Sequence, residues 1–130
     1  MPRAYTVATA ALALHVSSKW LDNILSHHSV QGVSQAKQGV ARRLSIESLN
    51  ILAVALSLLE DLELPTPKAL QLATRLVNTE GRTTLTGGTQ VQINIDAIKS
   101  ALLDRLEHAV EIAPLPRRGR PPQKTTGRLD

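Results

Sequence analysis

The sequence predicts a mainly α-helical fold, a winged helix-turn-helix with small β-hairpins and a disordered basic C-terminal tail. Three observations carry this. Apolar residues recur at i, i+3 or i+4 and i+7 in several separate stretches, the spacing that lines one face of a helix. Two intervening segments lose that period and carry paired glycines, Gly32 with Gly39 and Gly87 with Gly88, as hairpins do. From Pro114 onward the chain is proline-rich and basic with no apolar period at all, a composition that does not fold alone. Phe and Cys are absent, and Tyr5 and Trp20 are the only aromatic residues. The core is therefore expected to be Leu, Ile, Val and Ala, without disulfides or thiolate metal sites.

The first helical pair occupies about residues 6–28, with Tyr5 ahead of it as a small strand or a staple. Thr6 is a candidate N-cap, since its hydroxyl can accept from the free amides of a first turn. Val7, Ala11 and Leu14, with Leu12 beside them, form an apolar stripe that breaks at His15 and Val16. Ser17 or Ser18 caps a second helix, whose stripe is Leu21, Ile24, Leu25 and His28. So tight a connection needs a positive φ, for which His is among the tolerated non-glycine residues. Two such helices fold against each other and a third element. The second then projects outward, as a recognition helix does toward the DNA major groove.

Residues 29–44, SVQGVSQAKQGVARRL, read as a β-hairpin with Val30, Val33, Val40 and Leu44 inward. Its charged residues, Lys37, Arg42 and Arg43, are all basic, which suits a wing lying on a phosphate backbone. A solvated basic loop is the plainer alternative. Ser45 caps the next helix, with Glu47 in its first turn where the helix dipole favours an anion. That helix is apolar on nearly every side from Ile46 to Leu62 and is expected to be a central pillar buried on several faces. Thr66 is expected to cap the following helix, with Pro67 first in it and Gly81 ending it. Thr84–Thr86 and Val91–Ile95 then alternate around Gly87-Gly88 as a second hairpin. Asp96 is expected to cap a last helix with the stripe Ile98, Leu102, Arg105 or Leu106, Ala109 and Val110. Because a lone hairpin is marginal in water, residues 81–113 need a dock, and a second copy of the chain is the favoured one over the chain's own core.

This order resembles the DNA-binding domain of MerR-type winged-helix regulators over about residues 5–80. The matching stretches are ALALHVSSKWLDNIL, KQGVARRLS and IESLNILAVALSLLEDLEL. The resemblance implies that Ser17, Ser18, Lys19, Trp20 and Asn23 lie near the major groove and that Arg42 and Arg43 lie on the wing. The chain departs from the family in having His15 at the turn, no long coiled-coil helix and no Cys cluster. In the tail, Arg117 precedes Arg118, Gly119, Arg120 and Pro121, a run that resembles the AT-hook. Such arginines enter a narrow A·T minor groove. A generic phosphate-binding tail remains open beside that reading.

The charge distribution agrees. Residues 1–43 carry five basic side chains against Asp22, residues 44–113 carry five against nine acidic ones, and residues 114–130 carry five against Asp130. A basic head and a basic tail around an acidic middle suggest two polyanion contacts. The chain has no GxGxxG, P-loop or HExxH motif, and His27, His28 and His108 lack partners at metal-ligand spacing. The expectation is a non-enzyme without cofactor, metal or evident small-molecule ligand. The short apolar start and the uncharged run 48–59 fall short of a secretory signal and of the roughly 20 residues of a membrane span, so a cytoplasmic, nucleoid-associated protein is expected. Three units are read: 1–80 binding DNA, 81–113 dimerising, 114–130 a tail. The function read from all this is that of a sequence-specific, homodimeric transcriptional regulator on double-stranded DNA. An architectural or excisionase-like DNA-bending protein and a protein–protein adaptor are the alternatives.

Overall fold

Residues 4–35 and 41–112 are described by the computed structural model. Among them the chain is mainly helical, with two small antiparallel sheets. A short strand β1 (Ala4–Tyr5) leads into helix α1 (Val7–Leu14). Thr6 caps α1, its hydroxyl accepting from the Thr9 amide at 3.2 Å. The buried face of α1 is Thr9, Ala10, Ala11, Ala13 and Leu14. Leu12, expected beside the stripe, is 41% exposed, because the small Ala10 and Ala13 take the closest packing positions instead.

Helix α1 ends at His15 with φ 60° and ψ 41°. The His15 amide donates to the Leu12 carbonyl at 3.2 Å and the Val16 amide to the Ala11 carbonyl at 3.0 Å. This double closure is the Schellman arrangement, with His where glycine usually stands. The imidazole is exposed, so its main effect is backbone strain. His15→Gly is therefore expected to raise stability by about 0.5–1 kcal/mol, read as a higher midpoint in thermal melts. A lower midpoint would show that the ring, not the backbone, matters at the turn.

Helix α2 (Ser18–His27) follows after three residues, capped by Ser17, whose hydroxyl accepts from the Trp20 amide at 3.0 Å. Leu21, Ile24 and Leu25 are its buried residues. Strands β2 (Val33–Ser34) and β3 (Arg43–Ser45) form the first hairpin, and β1 joins as the outer strand, giving the order β1-β3-β2. Both Tyr5 and Val33 pair opposite Leu44, which is fully buried in the middle of the sheet. Val30 is buried and Val33 half-buried, both facing inward as expected. Gly39 and Val40 lie outside the described residues.

Helix α3 (Ile46–Leu62) starts from Ser45, whose hydroxyl accepts from the Ser48 amide at 3.2 Å. Eight of its residues are buried, from Ser48 to Leu58, and it touches α1, α4 and α5. It is the pillar that its all-round apolar pattern predicted. Ser48 is a polar side chain in that core, and its hydroxyl donates to the Ser45 carbonyl at 2.7 Å, so this buried donor is satisfied.

Helix α4 (Thr66–Asn78) begins one residue before the expected start. Pro65 holds the cap position with no side-chain hydrogen bond, and Thr66 is already helical. Pro67 lacks an N–H and is tolerated throughout a first turn, so it does not fix the start to one residue. Ala69, Leu70, Ala73 and Leu76 are buried against α3. The second hairpin is also shifted. β4 (Arg82–Thr84) pairs with β5 (Gln90–Gln92), and residues 85–89 form the connection. There the Leu85 amide donates to the Thr89 carbonyl at 2.7 Å, closing a longer loop than the Gly-Gly pair alone suggested.

Helix α5 (Ile95–Ile112) corrects two expectations. Its cap is Asn94, whose side-chain oxygen accepts from the Ala97 amide at 3.1 Å, while Asp96 lies within the first turn. Its stripe does not await another copy. Ile95, Leu102, Leu106 and Ala109 are buried in the same core as α1 and α3. Val110, expected on that stripe, is 39% exposed, and Ile98 is half-buried. Arg105 is partly buried and its Nε donates to the Ala13 carbonyl at 2.6 Å. A cation is thereby placed on the negative end of α1, where the dipole favours it. The last helix thus braces the turn between α1 and α2, and a boundary near residue 80 would run through the core. Among the described residues no helix is long and apolar enough to cross a membrane.

Candidate nucleic-acid interface

The exposed side of α2 follows from its own period. With Leu21, Ile24 and Leu25 turned into the core, positions 19, 23 and 26 fall on the opposite face. Lys19, Asn23 and Ser26 are all exposed there. A shallow groove of about 640 Å³ runs along this face, lined by Ser17, Lys19, Trp20, Asp22, Asn23 and Ser26. Every helix turn contributes a polar side chain to it, and no large aliphatic residue does.

Each residue singled out from the sequence has a definite place. The Ser17 hydroxyl is engaged as the cap of α2. Ser18 and Lys19 are exposed in the first turn. Trp20 is half-buried and packs against the core, so it is a flank of the groove and an anchor of the helix. Asn23 is exposed; its backbone carbonyl lies 2.8 Å from the His27 Nδ1. Arg43 begins β3 and is exposed. Lys37, Arg117, Arg118, Gly119 and Arg120 lie outside the described residues.

Arg42 behaves differently from what its place in a basic hairpin suggested. Its guanidinium lies back across α2, with Nη1 3.5 Å from Asp22 Oδ1 and Nη2 donating to Ser26 Oγ at 3.3 Å. Ser26 Oγ in turn donates to the Asp22 backbone carbonyl at 2.8 Å. A guanidinium with two protein acceptors is held in one direction. Arg42 therefore ties the hairpin to α2, and Arg43 is the freer of the pair. Asp22 and Ser26 were not read as site residues from the sequence. Their i, i+4 spacing was visible, but the arginine that joins them lies 16 residues further on.

Other surfaces are less organised. A cleft of about 540 Å³ at the α1–α2 turn is lined by Leu14, His15, Val16, Leu56, Leu59, Glu60 and Arg105. Among the described residues no three His, Cys, Asp or Glu side chains gather closely enough to hold a metal ion. No protein-family model matches the chain, and no curated protein sequence matches it.

Proposed function

We propose that the chain is a sequence-specific DNA-binding regulator of the winged helix-turn-helix type, with α2 in the major groove and the β2–β3 hairpin as its wing. The observation that carries this reading is the face of α2. It is polar and exposed at Lys19, Asn23 and Ser26, and Arg42, just ahead of β3, reaches its edge at Asp22 and Ser26. The tight turn at His15 and the burial of Leu21, Ile24 and Leu25 support it further, since a recognition helix must be presented without slack. The order α1, α2, hairpin, long α3, short α4 supports the likeness to MerR-type regulators. In the same reading, Arg118 and Arg120 add a contact in an adjacent A·T minor groove.

Bandshifts of the intact chain against random genomic fragments test the reading. A regulator retards few fragments, a DNA-bending architectural protein retards most, and an adaptor retards none at physiological salt. The chemistry of the contact is tested by Lys19→Ala combined with Arg43→Ala. Each lost phosphate contact lowers the slope of log affinity against log salt by about 0.9, so the double variant is expected to bind more weakly at every sequence with a slope about two units shallower. An unchanged slope would remove both residues from the interface.

A further inference from the structure

We propose that Asp22 is a base-reading residue of α2, accepting a hydrogen bond from the exocyclic amino group of a cytosine in the major groove, and that Arg42 is the positioning residue that aims it. This rests on the DNA-binding reading above and specifies what its recognition helix reads.

A carboxylate facing DNA is repelled by the phosphates and needs a reason to be there. At Asp22 half of the reason is structural. Arg42 Nη1 stands 3.5 Å from Oδ1, and the other arm of the same guanidinium is fixed on Ser26, so the carboxylate is partly neutralised and its rotation restricted. The Arg42 side chain is only 24% exposed, whereas that of Asp22 is 54% exposed. The carboxylate is thus the more accessible of the two groups. Its second oxygen, Oδ2, has no protein donor among the described residues. Asp22 also lines the same groove as Lys19 and Asn23. An accessible acceptor whose other oxygen is held by a neighbouring cation is what direct readout of a base edge requires.

The identity of the base follows from donor and acceptor inventory. An ionised carboxylate offers acceptors only. Cytosine presents a lone amino donor in the major groove, which such a group satisfies completely. Adenine presents its amino donor beside N7, an acceptor that a carboxylate would leave unpaired and that an amide would satisfy. Thymine offers no donor on that edge.

Selection of binding sites from a random duplex pool, with the full-length chain, decides the matter. The unmodified protein is expected to select cytosine at one position of its site, by about tenfold over other bases. Asp22→Asn is expected to switch that position to adenine and leave the others unchanged. Arg42→Gln is expected to flatten the preference at the same position while the salt slope stays as it was, because its guanidinium is here assigned to Asp22 and Ser26 and not to a phosphate. Thermal melts of both variants confirm that each remains folded. Tighter binding of Asp22→Asn to all sequences alike, with no change of preference, would overturn the proposal, as would a selected site with no cytosine position. Absence of any duplex binding by the unmodified chain would instead sink the DNA-binding reading itself.

Discussion

A chain ended at Gly81 is expected to lose cooperative folding, not merely to lose a contact between copies. The reason lies in what α5 covers. Leu102 and Leu106 are 0% and 2% exposed, and Ile95 and Ala109 are buried beside them. They pack on α1 and α3. Truncating a single buried Leu to Ala costs about 2–5 kcal/mol, and a whole small domain is stable by only about 5–15 kcal/mol. Removing all four residues, and uncovering the alanine face of α1 with them, consumes that margin. The Arg105 bond to the Ala13 carbonyl is lost as well, which frees the turn that sets the direction of α2. Circular dichroism of the shortened chain is expected to show no sharp thermal transition, and Leu102→Ala in the full chain to lower stability by about 2–5 kcal/mol. A shortened chain that melts cooperatively would show that residues 82–112 are an appendage after all.

That element also marks the limit of what the sequence discloses. The period of α5 says that one face is buried and says nothing of its partner, because an amphipathic stripe looks the same against its own chain or another. Local chemistry was legible wherever it decided the outcome by itself. Thr6, Ser17 and Ser45 cap their helices through the expected hydroxyl bonds, and the turn falls on His15 with the positive φ that so tight a connection demands. It failed where two residues compete for one role. Asn94 and Asp96 are both good caps, and the choice between them depends on where Ile95 enters the core. At the start of α4 the sequence places the cap on Thr66, whereas Pro65 holds it and Thr66 is already helical. Of the candidate interface, Lys19, Asn23 and Arg43 were legible because exposure on α2 or β3 follows from periodicity. The Arg42 contact with Asp22 and Ser26 was not, since it joins residues that only the folded hairpin brings together.

Gly32→Ala is expected to be the most damaging single methyl addition on the hairpin side of the molecule. Gly32 has φ +92°, where a side chain is strained irrespective of its surroundings. Its surroundings are also full. A Cβ there would collide with Ser45 Oγ and stand 3.1 Å from the Ser48 amide. Those two atoms are the N-cap bond of α3, and the Gly32 carbonyl accepts from the Ser45 amide at 3.1 Å. The methyl group would therefore push apart the cap of the central helix and the root of the hairpin together. Backbone strain of about 1–3 kcal/mol and cap loss of about 0.5–2 kcal/mol suggest a total of about 1.5–5 kcal/mol. Gly88 supplies the control, since it shares φ +91° but a Cβ there would meet nothing within 4 Å. Gly88→Ala keeps the strain and lacks the collision. Urea melts are expected to place Gly32→Ala below Gly88→Ala by roughly the value of the cap. Equal losses would mean that Ser45 moves aside at no expense and that the cap of α3 does not depend on the bare backbone at Gly32.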